Sequence, residues 1–313
     1  MGHDHDHTHG GNKKTLLIAF IIITGYMIVE AIGGIITNSL ALLSDAGHML
    51  SDSISLLIAL IAFALGEKVA NNKKTFGYKR FEVLAAALNG VTLILIALFI
   101  FYEAIQRFMY PPQVVSNGML MIAVVGLIIN ILVAWIMMRG GDTKENLNLR
   151  AAFLHVISDM LGSVAAIVAA LLIMFFNWGW ADPVASVIVA ILVLISGLRV
   201  TNSAIHILME GTPSNVDLSE IIKVIENVQG IKSIHDLHVW TITSGQNALS
   251  CHAVVDGTLS IKDSEKVLLL IEHELEHKGI GHMTIQMESE ENPHNDSILC
   301  KTEYDTHSHN HEH

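Results

Sequence analysis

Along most of the chain, apolar residues do not alternate with polar ones but run on unbroken. Six stretches, 16–36, 40–65, 81–106, 117–138, 147–176 and 183–205, stay apolar long enough to cross a hydrocarbon core, which takes about 20 helical residues. The pattern predicts an all-α membrane domain, a six-helix bundle over 15–206. The fifth run exceeds what a span requires, an excess that tilt or a cytoplasmic extension absorbs. From Gly211 the pattern becomes that of a soluble domain, 211–289. Thr212-Pro213-Ser214-Asn215 breaks the helix, and Asp217 or Ser219 can cap a short helix through about Val228. Residues 231–243 and 248–256 read as strands around the turn Ser244-Gly245-Gln246-Asn247. Residues 264–277 place Val267, Leu268, Ile271 and Leu275 on one side of a helix that stops at Gly279, and 282–288 reads as a last strand. The order αββαβ predicts a ferredoxin-like α+β domain with its helices on one face of a three-stranded sheet.

The two ends, 1–14 and 290–313, carry alternating histidines: His3, His5, His7 and His9 at the start, and His307, His309, His311 and His313 at the finish. With little apolar surface to bury, both are expected to be disordered. Weak metal capture is one reading of them and an inert tail is the other.

Charge orients the spans. Lys13 and Lys14 precede the first; Lys68, Lys73, Lys74, Lys79 and Arg80 lie between the second and third; Arg139, Lys144 and Arg150 lie around the fourth-to-fifth connection. The opposite loops carry one cation, Arg107. Cationic loops stay cytoplasmic, so both termini are expected there, in a multi-pass protein of the cell membrane. The start, Met1-Gly2-His3-Asp4-His5, lacks the cationic segment and short apolar core of a cleavable signal. The net charge of −12 speaks against a nucleic-acid partner. Cys251 and Cys300 form no CxxC pair, so neither a disulfide framework nor a thiolate zinc site is expected.

Two copies of one pattern carry the chemistry. His48 and Asp52 interrupt the second run, and His155 and Asp159 the fifth. An i, i+4 spacing puts imidazole and carboxylate on one helix face. The first pair sits about 12 Å and about 18 Å along its helix, at about 1.5 Å per residue. Ionisable groups at such depth mark ion paths or relays, and two His with two Asp supply the four ligands of a tetrahedral divalent site. Asp45 shares the His48 face and could line the route to the site or support its ligands. Glu30, in the first span, is a candidate for a proton or ion path. Asn89 and Asn130 are expected to hydrogen-bond between helices.

The soluble domain offers a second cluster: His235 and His252 on adjacent strands, where facing residues approach within about 5 Å, with Glu288 on the last strand. Its alternatives are a metal site and the polar face of a half-buried sheet. His273-Glu274-Leu275-Glu276-His277 matches H-E-x-x-H, but on a charged soluble helix, where a solvated face is the preferred reading and a membrane zinc hydrolase the rival.

These segments resemble the cation diffusion facilitator family, specifically its bacterial zinc/cadmium/cobalt exporters. The stretch 39–52, SLALLSDAGHMLSD, is similar to the family's second span, and Phe76-Gly77-Tyr78-Lys79-Arg80-Phe81-Glu82 to the start of its third. His155-Val156-Ile157-Ser158-Asp159 is similar to its fifth, and His235-Asp236-Leu237-His238-Val239-Trp240 to a motif of its cytoplasmic domain. The resemblance implies a homodimer that exports metal against inward proton flow, with His48, Asp52, His155 and Asp159 holding the transported ion. It implies zinc as the preferred cargo, since a His at the first position disfavours cadmium. It also implies a zinc ion at His235, His252 and Glu288 that stiffens the dimer, and a charge pair Arg80–Glu210 joining membrane and soluble parts. The loop 66–75 lacks the His and Asp that hold a further metal in some relatives. Passage of Cd²⁺, Co²⁺ or Ni²⁺, and exchange for K⁺ besides H⁺, stay open. A metal-gated channel or sensor is a further rival; an ATP-driven pump is disfavoured by the absence of a G-x-x-x-x-G-K-[ST] loop.

Overall fold

A computed structural model of the chain describes residues 8–66, 71–139, 147–243, 245–290 and 297–299. Within its helices, the side chains of 8–16, 19, 59–60, 62–66, 133–134, 136–139 and 147–159 fall outside that description. The chain divides into two compact units, Met1–Ala204 and Ile205–His313.

Among the described residues, the first unit is built from α1 (Thr8–Thr37), α2 (Leu40–Gly66), α3 (Phe81–Met109), α4 (Ser116–Arg139), α5 (Leu147–Phe176) and α6 (Ala181–Leu208). By length and composition, Phe20–Thr37, Phe81–Met109 and Ala181–Leu208 can each cross a membrane, and Ser116–Leu132 and Met160–Phe176 are shorter apolar stretches. The helix α1 starts at Thr8, so residues 8–14, expected in a disordered tail, continue the first helix instead. Adding a turn to a formed helix costs far less than nucleating one.

Polarity is inverted relative to a water-soluble bundle. Large apolar side chains point outward, with Leu88 70% and Met121 68% exposed, while Glu30 and Asp182 are fully buried. Such a surface suits lipid. The interior is lined by small residues that allow close approach. Ala41 and Leu42 of α2 pack with Met119 and Ala123 of α4 and with Ala166, Ala169 and Ala170 of α5. Where α3 crosses α6, a Cβ on Gly90 would run into Thr201 and the Gly197 carbonyl, so the two backbones meet almost directly. Asn89 ties α3 to α2 as expected, its amide donating to Ser51 Oγ at 2.9 Å and Ser55 Oγ at 3.3 Å.

The second unit contains α7 (Leu218–Glu226), β1 (Ile231–Thr243), β2 (Gln246–Val255), α8 (Ile261–Glu276) and β3 (Ile280–Ser289), which is the expected αββαβ order. The sheet order is β1-β2-β3, with β1 antiparallel to β2 and β2 parallel to β3. A parallel pair needs a crossover, and α8 supplies it. Asp217 caps α7 by accepting from Ser219 N at 2.8 Å. Ser260 caps α8 by accepting from Asp263 N at 3.2 Å and donating back to the Asp263 carboxylate at 2.7 Å. Gly279, at φ +78°, turns the chain from α8 into β3. Ile221, Ile225, Ile271 and Leu275 of the helices close over Ile234, Leu237, Val239, Leu249, Cys251 and Ala253 of the strands. Alternation along β2 therefore sends Cys251 to the helix-covered face and His252 to the other.

Candidate metal centres

Helix α2 carries His48 and Asp52 one turn apart, both partly buried. Helix α5 carries His155 and Asp159, whose side chains lie outside the described residues. What is described is how the two helices meet. Asp45, 2% exposed, accepts from Ser163 Oγ at 3.2 Å. A Cβ on Gly162 would collide with the same carboxyl group, so this close approach needs glycine. Further contact runs from Ala41 and Leu42 to Ala166, Ala169 and Ala170. Stepping back along α2 thus corresponds to stepping forward along α5, as in an antiparallel pair.

Glu30 of α1 is fully buried and within electrostatic reach of Asp45. Tyr26, one turn before it, donates its hydroxyl proton to the Ile122 carbonyl at 2.7 Å, in space left by Gly126. Glu30 and Asp45, singled out separately in the sequence, are thus buried neighbours, with Asp45 also against α5.

A second buried network was not anticipated. Asp182, the fully buried second residue of α6, accepts from Ser39 Oγ at 2.6 Å, Leu40 N at 2.8 Å and Ala41 N at 3.1 Å. From a distant part of the chain it satisfies the first two amides of α2, beside Ser39, whose Oγ accepts from Leu42 N at 3.3 Å as the local N-cap. Arg107 Nη1 lies 3.6 Å from the same carboxylate and donates to the Asn38 carbonyl at 2.6 Å, while Nε donates to Glu103 at 3.1 Å. Arg107, counted from sequence as a loop cation, instead sits in the last turn of α3 and is only 8% exposed. The signals were the Asn-Ser pair between the first two spans and the Asp-Pro pair opening the sixth.

In the second unit, each strand contributes one group to a common centre. His235 of β1 lies opposite His252 of β2, with ring centroids 5.0 Å apart. Glu288 of β3 stands between them, Oε2 at 3.3 Å from His235 Nε2 and Oε1 at 2.9 Å from His252 Nδ1. Ligand atoms of all three lie within 4.8 Å of one another, and among the described residues this is the one such trio of metal-binding groups. Two imidazoles and a carboxylate suit zinc and leave a fourth position for water or another ligand.

The H-E-x-x-H histidines pair on the exposed end of α8, His273 and His277, ring centroids 4.8 Å apart, outside that trio. Arg80 directly precedes α3, and Glu210 follows α6 at φ 58°; they belong to different units. The His-rich ends 1–7 and 301–313 lie outside the described residues.

Two family descriptions match the chain: the cation efflux transmembrane domain over residues 16–209 and the cation efflux protein cytoplasmic domain over 213–290. The chain is 68% identical over 313 residues, the full length of both, to a Bacillus subtilis protein named cadmium, cobalt and zinc/H(+)-K(+) antiporter. It is 44% identical over 288 residues to the metal cation efflux system protein CzcD of Cupriavidus metallidurans, covering 92% of this chain and 90% of that one. It is 40% identical over 295 residues to the Escherichia coli zinc transporter ZitB, covering 92% and 93%. Among solved structures, the metal-bound C-terminal domain of the CzcD transporter matches 23% of this chain and 99% of its own, at 42% identity and a TM-score of 0.22.

Proposed function

Because the chain belongs to the cation efflux family, we propose that it exports Zn²⁺ from the cytoplasm in exchange for H⁺ and so confers metal resistance. Cd²⁺ and Co²⁺ are further cargo and K⁺ a further counter-ion, in line with the name of the Bacillus subtilis relative. The family and its named relatives are transporters rather than enzymes. The exporter is a homodimer in the cell membrane, each subunit crossing six times with both termini cytoplasmic, and its soluble domain is ferredoxin-like.

The cargo site is His48, Asp52, His155 and Asp159. The observation that carries this reading is the α2–α5 contact. Asp45 is seated against Gly162. Three residues on along α2 is His48, and three back along α5 is Asp159; seven on is Asp52, and seven back is His155. Steps of three and seven keep to one helix face. An antiparallel pair in this register therefore supports His48 level with Asp159 and Asp52 level with His155.

Function follows from competition for the same lone pairs. Metal binding needs neutral imidazole and ionised carboxylate, so a cation arriving from the cytoplasm displaces protons. In a span of low dielectric, four ligands with two carboxylates neutralise the dication. Imidazole, with a reference pKa of about 6.5, takes protons on the acidic outer side and lets the metal go. Glu30 and Asp45 line the route beside this quartet.

In the soluble domain, the donor set fits zinc as a resident structural ion: Glu288 already faces both histidines. Zinc there links β1, β2 and β3 through one ligand each and stiffens the domain on which the dimer rests.

The test is Zn²⁺ uptake into inside-out vesicles. Uptake is expected to be several-fold faster when the interior is made acid than without a gradient. Flux that ignores the gradient would favour a metal-gated channel. Glu274→Gln is expected to leave uptake unchanged, which separates this reading from hydrolysis at His273 and His277.

A further inference from the structure

We propose that Asp236 is a positioning residue for the soluble-domain metal centre, its carboxylate orienting His252 from the side away from the metal. The proposal rests on reading His235, His252 and Glu288 as a zinc site.

The first observation is backbone geometry. Among the described non-glycine residues with positive φ, Asn38, Asn177 and Glu210 lie in connections, whereas Asp236, at φ 51°, lies inside a strand. The β1–β2 register slips there: His235 pairs with His252, but His238 pairs with Ser250. Asp236 is the extra residue of a β-bulge. The bulge reverses the alternation of the strand. Ile234 and Leu237, three apart, both enter the core, which a regular strand does not allow. For the same reason His235 and His238 both fall on the face opposite the helices.

The second observation is where the Asp236 side chain ends up. Its Oδ1 lies 3.1 Å from His238 Nε2 and its Oδ2 lies 3.9 Å from His252 Nε2. His252 turns its other nitrogen, Nδ1, toward Glu288 at 2.9 Å. The two ends of one imidazole thus face two different carboxylates. With Nδ1 given to a metal, Nε2 carries the proton; Asp236 Oδ2, at 3.9 Å, is beyond direct hydrogen-bond length but is the carboxylate on that side of the ring, so a shift of about 1 Å on metal binding makes it the acceptor that fixes tautomer and ring orientation. A carboxylate in this role raises the basicity of the ligand, and its loss weakens metal binding about 10–100-fold.

The third observation explains how a strained bulge persists. Asp236 N donates to the Ser297 carbonyl at 3.3 Å and Leu237 N to the Ile298 carbonyl at 2.8 Å. Residues 297–299, expected in a disordered tail, strap the free edge of β1 at the bulge. They satisfy donors that the slipped register leaves without strand partners.

The experiment uses the full chain in detergent, with the cargo site disabled by Asp52→Ala and Asp159→Ala. Zinc affinity is read by competition with a chromophoric chelator, and melting is followed with and without zinc. Glu288→Gln serves as the control that removes the centre. Asn tolerates positive φ and Gly adopts it freely, so Asp236→Asn and Asp236→Gly both keep the bulge and delete the carboxylate. Both are expected to weaken zinc binding about 10–100-fold while leaving the zinc-free melting temperature where it was. Wild-type affinity in either variant, with Glu288→Gln defective, overturns the proposal and leaves the centre standing. Equal loss of stability without zinc also overturns it, because the role is then structural. If Glu288→Gln itself changes nothing, the zinc reading fails and takes the proposal with it.

Discussion

Single residues in this chain are set by what surrounds them more than by their type. Gly162 is required because the Asp45 carboxyl group fills the space a side chain would take. Gly162→Val is expected to lower transport about tenfold at equal protein abundance, measured as vesicle uptake against immunoblot, because either the Asp45 carboxyl group or α5 must move to admit the side chain. Cys251 illustrates burial alone. It lies under the helices of the second unit, and desolvation pushes its thiol up to about 12. A thiol in an unfolded chain titrates at about 8.5. The folded value is the higher one, so this contribution to stability is complete below about pH 8.5 and fades as pH climbs toward the folded value. At pH 8 the thiol is expected to resist alkylation until the domain unfolds, measured by mass spectrometry along a urea series.

At the scale of elements, α2 is held at its start by groups from elsewhere. Asp182 of α6 caps its first amides, and Arg107 of α3 compensates the buried charge. Asp182→Ala is expected to destabilise the folded chain by about 3–5 kcal/mol, since it strands a buried guanidinium and uncaps a helix. Thermal unfolding in detergent measures this, and Asp182→Ala together with Arg107→Met is expected to recover part of the loss.

The helices themselves were legible because a hydrocarbon environment writes itself directly into composition. The His-x-x-x-Asp pairs stood out for the same reason, polar groups where none belong. The order αββαβ was legible from alternation and caps. Arg107 was misplaced because counting charges by loop assumes that the last turn of a helix is loop. The bulge at Asp236 was illegible because His-Asp-Leu-His only makes sense once the strand slips, and the backbone partners at that slip come from residues 297–298, some sixty positions later.

At the scale of the whole molecule, the chain joins a membrane unit inverted in polarity to an α+β unit, with the proposed cargo site in the first and the proposed His235–His252–Glu288 zinc centre in the second. In the first the ligands come from helices that can change their spacing, which suits an ion held briefly. In the second they come from three strands of one sheet, which suits an ion held for long. Chelator treatment of the purified protein is therefore expected to lower its melting temperature through the soluble site, and Glu288→Gln is expected to remove that response without abolishing vesicle uptake. The central claim is that α2 and α5 grip one cation together. Anomalous diffraction at the zinc edge from zinc-soaked crystals tests it most directly. The account predicts one peak in the membrane unit, about 2.0–2.2 Å from one atom each of His48, Asp52, His155 and Asp159, and its loss in Asp159→Ala. A peak elsewhere in that unit, or one that survives Asp159→Ala at full height, contradicts it.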